Sequence, residues 1–231
     1  MRDDKPVVEF EKQGRQLMRV TFNLQLVSFC NDVREYENLG YAIPNELRKT
    51  ATHALRFINF AKLLQQIATF HNTIGDRMIP CQRPIMLKNA VELSKLVQSQ
   101  SVAWNDEESV KQYVSVLQNA VSKLSNDNTL LLGYHEQMKK TVIKLINTDL
   151  IRQAHIWKDE MRFMRENIST LERQGYQNLN AFKTHWDYQL YKVLEYQYLN
   201  GLLDLNHKLP DITVDIVFRY KFNCLLCFLF N

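Results

Sequence analysis

Apolar residues recur every three or four positions along most of this chain, and this periodicity constrains the fold more than any other feature. Two consecutive stripes show it: Val110, Tyr113, Leu117, Ala120 and Leu124, then Leu131, Tyr134, Met138, Val142 and Leu145. Such spacing puts the apolar side chains on one side of an α-helix, which needs another helix to cover it. The pattern predicts consecutive antiparallel helices, with a break at Asn126-Asp127-Asn128 between these two.

The composition agrees with long helices. The 231 residues include only six Gly and five Pro, too few turn residues for a β-sandwich, and a hydrophobic fraction of 45% is too high for a disordered chain. We therefore predict a mainly α protein made of successive antiparallel helical bundles. The remaining helical patterns run over residues 24–39, 44–71, 85–98, 149–174 and 178–206.

Short β-prone runs stand near both ends of the helical region. Residues 7–10 and 17–22 flank Gly14 and predict a small β-hairpin, and residues 212–218 after Pro210 predict a short strand. The stretch 72–84 contains Gly75, Pro80 and Pro84 and is the best candidate for a boundary between helical sections. The predicted sections are a β-prone start (1–23), a first helical section (24–79), a second helical bundle section (80–210), a short strand (211–219) and an atypical apolar C-terminus (220–231).

No residue pattern predicts catalysis or a bound cofactor. None of the glycines opens a phosphate-binding loop or a dinucleotide fingerprint, and the six histidines never occur at the i, i+4 spacing of a helical metal pair. Cys224 and Cys227 have the spacing of a zinc or redox pair, but no second pair completes a tetrahedral site. We expect no catalytic, cofactor-binding or metal-binding residues and no small-molecule substrate.

Net charge and hydropathy limit the classes of partner that the chain is expected to bind. The net charge of +4 comes from 29 basic and 25 acidic residues that are interleaved along the chain, so neither nucleic acid nor an anionic lipid is an expected ligand. The longest apolar run, residues 224–230, is too short to span a bilayer, and we expect no membrane insertion. Four scattered cysteines and a start without an apolar signal core indicate a reducing intracellular compartment.

One segment, residues 182–198, is apolar on two sides of its predicted helix. Phe182, Trp186, Leu190 and Val193 share one face, and a second face carries Tyr188, Tyr191, Glu195 and Tyr198. One interpretation is a central bundle helix whose tyrosine hydroxyls reach the rim. The other is a partner-binding face, because Tyr and Trp are enriched at interface hot spots.

Several strings resemble the tails of dynein heavy chains. The marks are WDYQLYKVLEYQY at 186–198 with the Leu-Pro turn and DIVFR that follow it, LVSFCNDVREYENLGYAIPNELRKTATHA at 26–54, and LQQIATFHNTIGDRMI at 64–79. The resemblance extends over nearly all of residues 7–219. Among dyneins, the sequence looks most like the heavy chains that drive retrograde intraflagellar transport in cilia.

The resemblance implies an elongated tail of helical bundles that assembles a motor complex without catalysing anything itself. Its implied partners are dynein intermediate and light intermediate chains and a second heavy chain, and its implied location is the cytoplasm, the cytoskeleton and the cilium. The ATPase ring of that family is not expected within this sequence. A generic helical interaction scaffold, or a small enzyme with an unrecognised site, is the alternative that the residues alone leave open.

The resemblance stops after Arg219, where the chain continues as YKFNCLLCFLFN. We expect this ending to reflect a truncated isoform, a gene-model fragment or a read-through terminus, which transcript sequencing across the Arg219 codon tests. We expect this ending to expose several large apolar residues and to favour aggregation.

Overall fold

A computed structural model describes residues 6–11, 17–99 and 102–209 of the chain. In these parts it contains two short strands, six α-helices and one turn of 3-10 helix, which confirms the mainly α prediction. None of the helices in these ranges combines the length and the hydropathy that crossing a membrane requires. The predicted strand at 212–218 and the apolar C-terminus at 220–231 lie outside the described residues.

The predicted hairpin is present and packs on a long helix. Strand β1 (Val8–Phe10) pairs antiparallel with β2 (Met18–Val20), and helix α2 (Asn45–Arg77) lies against β2. The side chain of Asn72 on α2 accepts a hydrogen bond from the Met18 amide (2.9 Å) and donates one to the Met18 carbonyl (3.0 Å). Both backbone groups of Met18 are therefore satisfied by one side chain, which fixes the hairpin on α2.

Helix α1 (Leu24–Asn38) forms an antiparallel pair with the first turns of α2. The Asn23 side chain caps its N-terminus by accepting a hydrogen bond from the Gln25 amide, and Gly40 follows its end with φ +82°, a conformation that favours glycine. The two helices enclose a small cluster of buried residues, which comprises Cys30, Val33, Ala51, Ala54 and Ile58. The alanines let the helices approach closely.

Helix α2 is longer than the periodicity predicted. It continues past His71 to Arg77, so Gly75 lies inside the helix. A single 3-10 turn (Pro80–Gln82) then leads into α3 (Arg83–Ser99). The side chain of Gln82 is fully buried in this turn and donates a hydrogen bond to the Leu131 carbonyl (2.8 Å). The sectional boundary predicted after residue 79 stays a prediction, although buried residues on both sides of it join one core.

The predicted break at Asn126-Asp127-Asn128 is wrong. Residues Glu107–Ile146 form one helix, α4, of 40 residues, and both apolar stripes lie on it. The helix persists because tertiary contacts hold its polar midpoint. Asp127 accepts hydrogen bonds from the side-chain amide of Asn89 (2.6 Å) and from the Tyr176 hydroxyl (2.8 Å). These bonds offset the modest helix propensity of Asn and Asp.

The last three helices pack together. Helix α5 (Ala154–Arg173) runs antiparallel to α4, and helix α6 (Asn180–Lys208) then runs parallel to α4, as the Lys144–Glu160 ion pair and the Gln197–Ile146 contact show. The Trp157 indole donates to the Thr148 carbonyl (2.9 Å) and closes the α4–α5 turn. Gly175, with φ +87°, ends α5 where the sequence predicted a break.

The hydrogen bonds at Asp127 generate a stability prediction. Asp127→Ala removes the partner of the Asn89 amide and of the half-buried Tyr176 hydroxyl, so we expect the free energy of unfolding to fall by about 1–3 kcal/mol. Urea denaturation followed by circular dichroism measures it. The matched control is Asn126→Ala, an exposed neighbour on the same helix, for which we expect a change within about 0.5 kcal/mol. Equal stability of the two variants would contradict the role of Asp127.

Candidate partner-binding surface

Helix α6 is anchored to the rest of the protein by one face. Phe182, Trp186 and Val193 are at most 4% exposed and join the main core, with Leu190 and Leu194 partly buried beside them. This face lies against α4 and the 3-10 turn. The predicted apolar face of residues 182–193 is therefore the side that fixes the helix.

The anchored part ends at Gln197. Its side-chain amide donates to the carbonyls of Leu145 (3.4 Å) and Ile146 (2.8 Å), which belong to the last turn of α4. Within the part of the chain that the structure describes, every residue of α6 after Gln197 is exposed. Helix α6 therefore extends beyond the end of α4.

The opposite face of α6 carries the four residues predicted as a partner-binding site. Tyr188, Tyr191, Glu195 and Tyr198 are all exposed, Tyr191 by 65% and Tyr198 by 69%. The tyrosine rings thus lie on the surface, whereas the bundle-interior interpretation required a mostly buried face. The structure places these residues in one row, and their binding role remains a prediction.

The same row continues further than the sequence analysis recognised. Leu202 (44% exposed) and Leu205 (54% exposed) follow Tyr198 at four- and three-residue spacing, so the exposed positions alternate three and four throughout. We call this row of six the α6 seam: Tyr188, Tyr191, Glu195, Tyr198, Leu202 and Leu205. It covers about 25 Å of helix. The missed signal was available, because the spacing of the tyrosines simply continues into the leucines.

A charged pair lies at the middle of the seam. The Lys192 ammonium donates to Glu195 (2.9 Å) and lies 5.7 Å from the centre of the Tyr188 ring. The hydrogen bond to Glu195 raises the pKa of Lys192. An exposed pair of this kind stabilises a helix little, because solvent screens it. Its importance is for recognition, since a charged residue within an apolar seam restricts which helix can pair with it.

The α6 seam is suited to binding a helix. Apolar and aromatic side chains at alternating three- and four-residue spacing form the surface into which a partner helix inserts its own side chains. A row of exposed aromatic and aliphatic side chains of this length, interrupted only by Glu195, is uncommon on a protein that has no partner, because hydration of apolar surface costs free energy. Tyr side chains add contact area at low entropic cost. The geometry therefore favours docking of a protein over chemistry on a small molecule.

Comparison with known proteins identifies the protein family of this chain. Residues 2–113 match the family described as dynein heavy chain, N-terminal region 1. Similarity to individual dynein heavy chains extends over most of the remaining residues as well. The chain therefore belongs to the dynein heavy-chain family and corresponds to its N-terminal region, which confirms the resemblance noted in the sequence.

The relatives are cytoplasmic dynein 2 heavy chains. The chain is 35% identical to cytoplasmic dynein 2 heavy chain 1 of Homo sapiens over 88% of its length, and 34% identical to that of Tripneustes gratilla over 93%. The protein of the same name from Chlamydomonas reinhardtii is 33% identical over 92% of this chain. The chain spans about 5% of the length of each of these relatives.

The two faces of α6 predict very different costs in stability for substitutions. Phe182→Ala opens a cavity in the core, and we expect the free energy of unfolding to fall by about 3–5 kcal/mol. Tyr191→Ala removes only exposed surface, and we expect a change within about 0.5 kcal/mol. Urea denaturation of both variants against the parent chain measures these effects. A large loss of stability for Tyr191→Ala would show that the seam is covered within the chain itself.

Proposed function

We propose that this chain is a non-catalytic tail segment of a dynein heavy chain that assembles a microtubule motor complex. Its helical faces bind dynein intermediate and light intermediate chains and a second heavy chain. The complex moves toward microtubule minus ends and carries out retrograde intraflagellar transport, which puts the chain in the cytoplasm, on the cytoskeleton and in cilia.

The observation that carries this proposal is the α6 seam on a chain of this family. The anchored face of α6 already packs in the core, so folding does not require the seam. A tail that assembles subunits needs exposed surfaces of this kind to bind them. The match to the N-terminal region of the family supports a role in assembly. The names of the relatives support the assignment to the ciliary transport dynein.

The seam suits an accessory chain better than the same helix of a second heavy chain. Parallel pairing of two copies of α6 would place two Glu195 carboxylates opposite each other in an apolar seam, where like charges repel. We propose that the occupant is a helix of an intermediate or light intermediate chain with a Lys or Arg facing Glu195. Contacts between heavy chains then use another surface.

A binding experiment tests the seam. The full chain and its Tyr191→Ala/Tyr198→Ala variant are titrated with purified dynein 2 intermediate chains and light intermediate chains in separate experiments. Truncation of one hot-spot tyrosine costs about 2 kcal/mol or more, a factor of about thirty in affinity, so we expect the double variant to bind about several hundredfold more weakly. We expect Glu195→Lys to weaken binding as well, since it would face the partner's basic residue.

The matched control is Tyr196→Ala. Tyr196 is on the same helix and is 49% exposed, but it lies outside the seam. We expect its affinity to equal that of the parent chain, with circular dichroism confirming equal helicity of all variants. Equal affinities of the double variant and of Tyr196→Ala would exclude the seam as the interface. No binding of either class of accessory chain by the folded parent would contradict the proposed assembly role of this segment.

A further inference from the structure

Three side chains able to bind a metal ion meet where the 3-10 turn, α4 and α6 come together. Cys81 lies in the turn, His135 on α4 and His185 on α6. The Cys81 sulfur and one ring nitrogen of each histidine all lie within 4.8 Å of one another. These residues are far apart in the sequence, so the cluster is a product of the tertiary fold.

His135 has an unmet bonding requirement at this point. Its Nδ1 atom is buried and has no hydrogen-bond partner among the described residues. A buried polar atom without a partner is destabilising, and native proteins contain few of them. The surroundings are aromatic, because the ring of Trp186 lies 4.9 Å from the His135 ring and the His185 ring stacks at 5.8 Å. A cation bound at Nδ1 of His135 would supply the missing partner.

We propose that Cys81, His135 and His185 bind one zinc ion. Thiolate sulfur and imidazole nitrogen are both donor atoms that Zn²⁺ accepts in tetrahedral geometry, and three protein ligands leave the fourth position to water. Bonds of about 2.0–2.3 Å put the ligand atoms of such a site about 3.3–3.8 Å apart. Rotations of the three side chains that move their ligand atoms by about 1 Å are enough to close the cluster around the ion.

Burial shifts the pKa values of two of these ligands, with opposite consequences for metal binding. Burial, with the neighbouring His185 as a further cause, lowers the pKa of His135, so its ring is neutral and its lone pair is available at neutral pH. Burial raises the pKa of the Cys81 thiol, and a bound zinc ion displaces that proton to form the thiolate.

Zinc bound here would connect α6 to α4 and to the turn between α2 and α3. These are the elements that hold the anchored face of α6, so the ion would stabilise the position of the helix that carries the α6 seam. Local sequence patterns do not reveal such a site, because each element contributes only one ligand. The histidines show no i, i+4 spacing, and the only cysteine pair with metal-site spacing is Cys224 and Cys227, so neither pattern indicates this cluster.

The test uses the full chain with Cys224→Ser and Cys227→Ser, so that the other thiol pair cannot bind metal. After treatment with a chelator, this parent is titrated with Co²⁺, whose absorption reports thiolate ligation, and then with Zn²⁺ in competition. We expect one Co²⁺ per chain, a thiolate-to-cobalt charge-transfer band that Zn²⁺ removes, and a melting temperature that rises on Zn²⁺ addition. Cys81→Ser should abolish the band, and His135→Gln and His185→Gln should each weaken binding by at least about tenfold.

Cys30→Ala and His155→Gln are the controls, because Cys30 lies in the separate α1–α2 cluster and His155 is exposed. Both should leave the band and the affinity unchanged. Circular dichroism of the metal-free variants checks that each is folded. The proposal is overturned if the folded parent shows no thiolate band in excess Co²⁺, or if Cys81→Ser and His185→Gln both bind as the parent does.

Discussion

The continuity of α4 through its polar midpoint is the constraint on which the rest of the structure depends. Its first half contacts α2 and α3, and its second half contacts α5 and α6. Asp127 stands between the halves and binds Asn89 on α3 and Tyr176 after α5. Burial and this hydrogen bond raise the pKa of Tyr176 to about 12, so the tyrosine stays a neutral donor. One carboxylate thus links two groups of helices, and the core runs without interruption along both.

The position of α6 follows from α4. Because the two helices run parallel and α4 ends at Ile146, α6 extends past the end of α4 after Gln197. The anchored face is buried by the core, whereas the α6 seam on the other side is exposed over its whole length. A helix with two apolar faces gains little for folding from the second face, and its exposure costs solubility unless a partner covers it. The exposed α6 seam, which folding does not require, on a chain of the dynein heavy-chain family is the basis of the proposed assembly role.

Sequence reasoning recovered the features that depend on local chemistry. Periodicity and turn residues are enough to predict the hairpin, the start of α1 at Leu24, the breaks at Gly40 and Gly175, and the two faces of residues 182–198. It failed where tertiary contacts decide. Asn126-Asp127-Asn128 looks like a break because Asn and Asp favour turns, and only the partners of Asp127 keep the helix intact. The extension of the seam to Leu205 was present in the sequence and was overlooked, whereas the meeting of Cys81, His135 and His185 needs the fold.

The central claim is that α6 uses one face for folding and presents the other to a partner. Hydroxyl-radical footprinting read by mass spectrometry, on the chain alone and bound to a dynein 2 intermediate or light intermediate chain, tests it most directly. The account predicts strong labelling of Tyr191 and Tyr198 and weak labelling of Trp186 and Phe182 in the free chain. In the complex, Tyr191 and Tyr198 become protected and Tyr196 stays labelled. Labelling of Trp186 as strong as that of Tyr191, or a complex that leaves the labelling of Tyr191 and Tyr198 unchanged, would contradict it.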